Sequence, residues 1–125
     1  MTPLDDLVRL SGHGFMDEAA GRAFLAATGP RVLVFSGVEK RRPEAQDVAV
    51  IIREFHRLYR GTFEIGVLSG TAEDRLKAGL GVVVLPSAVL LGAGPPRVVP
   101  RVQDWRVYAQ SFAESFGPVQ RVAAE

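Results

Sequence analysis

Apolar positions along the chain switch repeatedly between a near-helical spacing and one suited to strands. Leu4, Leu7, Val8 and Leu10 keep a short helical spacing until Ser11-Gly12 ends it. Phe15-Met16 predicts a very short strand. Asp17 then offers an N-cap for a helix through Ala27, with Ala20, Ala23, Phe24 and Ala27 on one face. Thr28-Gly29-Pro30 stops that helix. Val32-Leu33-Val34-Phe35 is a continuous β-favouring run, the pattern of a strand buried on both faces. After a loop over residues 36–43, Pro43 suits the first position of a helix to about Tyr59. Its inward stripe reads Val48, Ile51, Ile52, Phe55, Leu58 and Tyr59. Glu44 and Asp47 near its start and Arg57 near its end suit the helix dipole.

Gly61 breaks the pattern, and Phe63 to Leu68 reads as a strand. Thr71 with Asp74 three residues on has the form of a capping box, which predicts a short helix over 72–79. Gly79 and Gly81 end it. Val82 to Leu91 is apolar and β-branched, interrupted by Pro86, and Gly92-Ala93-Gly94-Pro95-Pro96 is a turn. Residues 97–102 predict another strand, which Pro100 confines to a sheet edge or a bulge. Asp104 caps a last helix carrying Trp105, Tyr108, Phe112 and Phe116, and the tail after Gly117-Pro118 is expected to be loose. The order is βαβαβαββα behind a leading helix. Such alternation implies an α/β fold, a mixed central sheet of four to five strands flanked by helices, in one domain over residues 1–125 with a leading segment to about residue 14.

Composition narrows the function classes. Hydrophobic residues make up 47% and charged residues 23%, the balance of a chain that buries one core. The net charge of +1, from 15 basic and 14 acidic side chains, lacks the basic excess of a nucleic-acid or membrane-surface binder. With no cysteine, the chain offers no disulfide, thiolate-held metal or thiol nucleophile. Met1-Thr2-Pro3-Leu4-Asp5-Asp6 is acidic, with no apolar run after a basic start, so the expected location is cytoplasmic with no insertion into the membrane. His13 and His56 are far apart in sequence and read as structural, and Ser36, Ser69, Ser87 and Ser111 lack a neighbouring base.

The order of elements resembles thioredoxin. Val32-Leu33-Val34-Phe35 precedes Lys40-Arg41-Arg42-Pro43, which by spacing stands where that family carries Cys-Gly-Pro-Cys. Leu85-Pro86-Ser87 is similar to the family's Ile-Pro-Thr, whose proline is cis, so the resemblance implies a cis bond before Pro86. Both cysteines are missing and Val34 replaces the buried aspartate, which excludes thiol–disulfide exchange. A narrower family fits better. Phe35-Ser36-Gly37-Val38-Glu39-Lys40-Arg41-Arg42-Pro43-Glu44, Arg53-Glu54-Phe55 and Leu85-Pro86-Ser87-Ala88-Val89-Leu90 resemble the hydrogenase expression and maturation proteins of the HupG/HyaE type.

That resemblance implies a redox-inactive, non-enzymatic chaperone without a metal or organic cofactor. Its client would be the small-subunit precursor of a membrane-bound nickel–iron hydrogenase, twin-arginine signal peptide included, with another maturation factor as a further candidate partner. The candidate surface joins two segments. Glu39, Lys40, Arg41, Arg42, Pro43, Glu44 and Asp47 follow the buried strand, where ligands of α/β sheets gather. Val84, Leu85, Pro86 and Ser87 offer backbone for β-type capture of a peptide. Asp5, Asp6, Glu39, Glu44 and Asp47 suit a basic peptide, which Arg41 and Arg42 would repel. Alternatives stay open at this point. The 39–44 loop reads equally as a solvated loop, and the chain as a cysteine-free thioredoxin-superfamily enzyme, a glutathione binder, or an interaction domain that forms homo-oligomers.

Overall fold

Three helices begin where a side chain takes up a backbone N–H that the first turn would otherwise leave without a partner. The computed structural model describes residues 1–119, so most of the tail expected to be loose, residues 120–125, lies outside the described residues. Thr2 and Asp5 form a reciprocal capping box for α1 (Pro3–Ser11). Asp17 accepts from the Ala20 N–H at the head of α2 (Glu18–Ala26), and Asp104 from that of Arg106 at α5 (Trp105–Phe116). Helices α3 (Glu44–Leu58) and α4 (Thr71–Leu80) follow Pro43 and Gly70 with no side-chain cap. The expected Thr71–Asp74 capping box is therefore absent: Thr71 is already inside the helix, and Asp74 pairs with Lys40 and Lys77.

Strands β1 (Phe15–Met16), β2 (Arg31–Phe35), β3 (Glu64–Leu68), β4 (Ser87–Leu91) and β5 (Arg97–Pro100) form one sheet in the order β1-β3-β2-β4-β5. β3 is parallel to β1 and β2, whereas β4 runs antiparallel to β2 and β5. The apolar run from Val82 yields a strand only after Pro86, and β5 ends at Pro100 because Arg101 turns left-handed at φ 57°. Pro100 stands on the edge strand, where a missing N–H costs no ladder bond.

Alternate strand residues feed two cores on opposite faces. Val32, Val34, Ile65, Val67, Ala88 and Leu90 pack with α1, α3 and α5, while Leu33, Phe35, Leu68, Val89 and Leu91 pack with α2 and α4. The predicted face of α2 is corrected. Gly21 and Phe24 are buried and Ala20, Ala23 and Ala27 exposed, because α2 closes on α4 so tightly that a methyl on Gly21 would lie 2.7 Å from Leu76 Cδ1. In α3, Leu58 points outward, while Ala45 and Ala49 join the inward stripe.

The first core is held by an aromatic stack: Phe112 lies 4.4 Å from Phe55, centroid to centroid, and 5.4 Å from Phe63. Phe55 also stacks on Trp105, which keeps 46% of its surface exposed. The Tyr108 hydroxyl donates to the Arg101 carbonyl at 2.6 Å, and burial pushes its pKa up to about 12. Replacing Phe112 by Ala is expected to lower unfolding stability by about 3–5 kcal/mol. Trp105→Ala should cost clearly less, as urea titration of both variants would read out.

Candidate functional site

Register across β2 decides what meets at its end. Phe35 lies opposite Leu68 of β3 and Ser87 of β4, so the chain leaving β2 emerges beside the chain entering β4. The Leu85–Pro86 peptide is cis. Ser36 and Gly37 stay buried. Gly37 then turns left-handed at φ 65° into a 3-10 turn over Val38–Lys40, and Arg41 turns left-handed at φ 55° before Pro43 starts α3. A methyl on Gly37 would come within 3.0 Å of Leu85 Cβ and 2.9 Å of Arg42 Cγ, so the two segments touch at this glycine.

A second tie crosses from β5. The Arg101 backbone N–H donates to the Pro86 carbonyl at 2.8 Å, and its guanidinium grips Glu44 Oε2 at 2.6 and 3.1 Å. Glu44 is thus committed to an internal pair. Lys40 is committed likewise, 3.0 Å from Asp74, and that ammonium holds the Asp74 carboxyl below its ordinary pKa. Among the described residues Glu39 and Asp47 make no ion pair and are exposed, as are Arg41 and Arg42. Asp5 and Asp6 stand apart on α1, where Asp6 pairs with Arg53.

The proline segment offers more than its four named residues. Val83, absent from the expected set, is 86% exposed, and Val84 and Leu85 are half-buried. Ser87 is corrected as a surface contact: it is fully buried and its hydroxyl donates to the Val84 carbonyl at 2.7 Å. Pro86 is buried too, so its contribution at the surface runs through its neighbours.

Beneath the loop lies Glu73 of α4, 0% exposed. Its Oε2 accepts from the Gly37 N–H at 2.8 Å and from the Ser36 hydroxyl at 3.2 Å, whereas Oε1 has no partner among the described residues. Desolvation pushes this carboxyl above its ordinary pKa, against the pull of those hydrogen bonds. The charge of Asp74 adds to the rise. Glu39 approaches the same helix end, where a methyl on Gly70 would lie 2.6 Å from its Oε2. No group of metal-binding side chains occurs among the described residues. His56 packs edge-on to Phe63 and burial lowers its pKa, while His13 is exposed.

Residues 5–108 match the family model described as hydrogenase-1 expression protein HyaE. The chain belongs to the HyaE family. It is 36% identical over 108 residues to the hydrogenase expression/formation protein HupG of Rhizobium leguminosarum bv. viciae, covering 82% of this chain and 72% of that one. Over 110 residues it is 32% identical to the hydrogenase expression/formation protein HoxO of Cupriavidus necator, covering 86% and 68%. A crystal structure assigned as hydrogenase expression/formation protein hupG from Rhodopseudomonas palustris superposes with a TM-score of 0.53 at 32% identity, covering 80% of this chain and 91% of that one. The α/β architecture expected from the sequence, a mixed central sheet flanked by helices, is thus the one this HyaE-family chain adopts, and no helix among its described residues is long and apolar enough to cross a membrane.

Sequence reasoning passed over Glu73, Arg101 and Val83. The signal for Glu73 was its place beside Ala72 and Leu76, the buried face of α4, where a carboxylate is out of keeping. A buried acid with a raised pKa stabilises the fold below its unfolded pKa, and that contribution is lost as pH rises through the folded value. Glu73→Gln should therefore match the wild type in acid and melt progressively higher than it as pH rises from the ordinary carboxylate range. A difference in melting temperature that stays constant from acid to neutral pH would contradict this account.

Proposed function

We propose that this HyaE-family protein is a cytoplasmic, non-enzymatic assembly factor. It binds the small-subunit precursor of a membrane-bound nickel–iron hydrogenase, signal peptide included, before export. The observation that carries the reading is the apolar Val83-Val84-Leu85 segment, exposed at Val83 and half-buried at Val84 and Leu85, with Leu85 lying against the loop that bears the uncommitted carboxylate Glu39 while a second, Asp47, stands in the first turn of α3. Among the described residues no backbone hydrogen bond uses the Leu85 N–H or carbonyl, which suits capture of an extended peptide by strand pairing. The client's apolar stretch packs on Val83 and Leu85, and its arginines face Glu39 and Asp47. Internal pairing of Lys40 and Glu44 removes one charge of each sign from this competition. Arg41 and Arg42 remain as the repulsive element, which selects against peptides whose cations fall out of register. With no cysteine in the chain, the place of the thioredoxin redox motif serves binding alone.

Calorimetric titration with the precursor, with and without its signal peptide, tests this reading; equal affinity for both forms would sink it. Val83→Asp is expected to weaken binding about tenfold or more, since a fully buried valine contributes roughly 1.5–3 kcal/mol. The melting temperature should hold, because Val83 is already in solvent. Glu39→Gln and Asp47→Asn should each weaken binding by up to about fivefold, as exposed charge pairs contribute roughly 0.2–1 kcal/mol, and both should flatten its salt dependence.

A further inference from the structure

Glu73 is a costly residue where it stands. A fully buried carboxyl with one oxygen that has no partner among the described residues loses hydration that its two hydrogen bonds only partly replace. An apolar side chain between Ala72 and Leu76 would continue the buried face of α4, so packing alone gives no reason for an acid. What the acid does touch is the first stretch of the loop. Its Oε2 takes the Gly37 N–H, and Gly37 is the residue wedged between Arg42 and Leu85. The Gly37 carbonyl in turn accepts from the Lys40 and Arg42 N–H groups, so the turn carrying Glu39 to Arg42 hangs from the residue that Glu73 holds. The Ser36 hydroxyl lies 2.8 Å from the Leu68 carbonyl and 3.2 Å from Glu73 Oε2, with a single proton to give. In the neutral acid, the carboxyl's own proton can serve the second contact.

We infer that Glu73 is a positioning residue for partner capture, tying Gly37 to α4 and so fixing the 39–44 loop against the Leu85–Pro86 segment. This rests on the reading that those two segments form the client surface. Glu73 itself stays out of contact with the client. It acts through one backbone N–H, and the loop without that tie samples positions in which Glu39 and Leu85 no longer face the same peptide.

Two substitutions separate positioning from stability. Glu73→Leu removes the acceptor while keeping the site filled, and Glu73→Gln keeps an oxygen for the Gly37 N–H. Amide hydrogen exchange by NMR needs no client. In Glu73→Leu the Gly37 amide is expected to exchange about tenfold faster or more, as loss of a hydrogen bond to a charged or buried partner implies. Core amides such as that of Val34 should keep their rates, and Glu73→Gln should restore Gly37 to near the wild-type rate. Affinity for the precursor should fall in Glu73→Leu and return in Glu73→Gln. Unchanged Gly37 exchange in Glu73→Leu overturns the inference, as does acceleration of Val34 and Gly37 together. Glu73→Met, with a more adaptable side chain, is the parallel apolar variant. If neither apolar variant folds, Glu73 is a folding residue and the inference fails. Faster Gly37 exchange with undiminished precursor binding also overturns it. A wild-type protein that binds no precursor defeats the client reading instead, and the exchange data then stand as a separate result on the loop.

Discussion

The central strand of this protein has no face in water. All five residues of β2, Arg31 to Phe35, are buried, with a parallel neighbour on one side and an antiparallel one on the other. A strand so placed must be covered twice, and the chain supplies α1, α3 and α5 to one face and α2 and α4 to the other. Even the charge at its start is absorbed: the Arg31 guanidinium donates to the Phe24, Leu25 and Gly29 carbonyls and closes the end of α2. Burial on both faces also fixes where the chain meets solvent again. Leaving β2, it passes through Ser36 and Gly37 still enclosed, and becomes exposed at the turn lying beside the cis-proline segment. The position of the candidate site is a consequence of covering β2, at the strand ends where α/β sheets present their loops.

At that exit the charges are sorted by local pairing. Asp74 takes Lys40 and Arg101 takes Glu44, which among the described residues leaves Glu39, Arg41 and Arg42 of the loop and Asp47 of α3 without an ion pair at the surface. The near-neutral sum of the chain hides this arrangement, since +1 overall says nothing about which charges are spoken for. What remains is a surface of apolar side chains, mixed charge and, among the described residues, a Leu85 backbone outside the hydrogen-bond ladders, and with no cysteine it carries no nucleophile for thiol chemistry. Membership of the HyaE family gives that surface its setting in hydrogenase expression.

Much of the fold was legible in the sequence because the strongest signals were local. The run Val32–Phe35 announced a doubly buried strand, Asp17 and Asp104 announced helix starts, and the spacing of Val48, Ile52 and Phe55 gave the inward face of α3. Errors arose where tertiary contact overrides local pattern. On α2 the close approach of α4 selects Gly21, a residue with no hydrophobic signal, over the alanines. At Thr71 the capping pattern was present, yet Lys40 from another loop engages Asp74 and the helix starts one residue early. For the site, the two segments could be named from sequence, but their ties could not. Arg101 and Glu44 are separated by 57 positions and Glu73 and Gly37 by 36, and no periodicity encodes such pairs.

Glu73 shows how such a tie differs in kind from the rest of the core. Apolar burial around it resists unfolding but is non-directional, so it selects no particular backbone N–H of the turn. A hydrogen bond to one backbone N–H is directional and fails within a fraction of an ångström. The β2–α3 turn has two left-handed residues, at Gly37 and Arg41, and few buried side chains of its own, so packing alone leaves its position poorly determined. An acid placed under it supplies the missing direction at the expense of stability. That exchange makes sense where the loop must meet a second segment in register, and it is the kind of local rule-breaking that marks functional positions in otherwise consistent sequences.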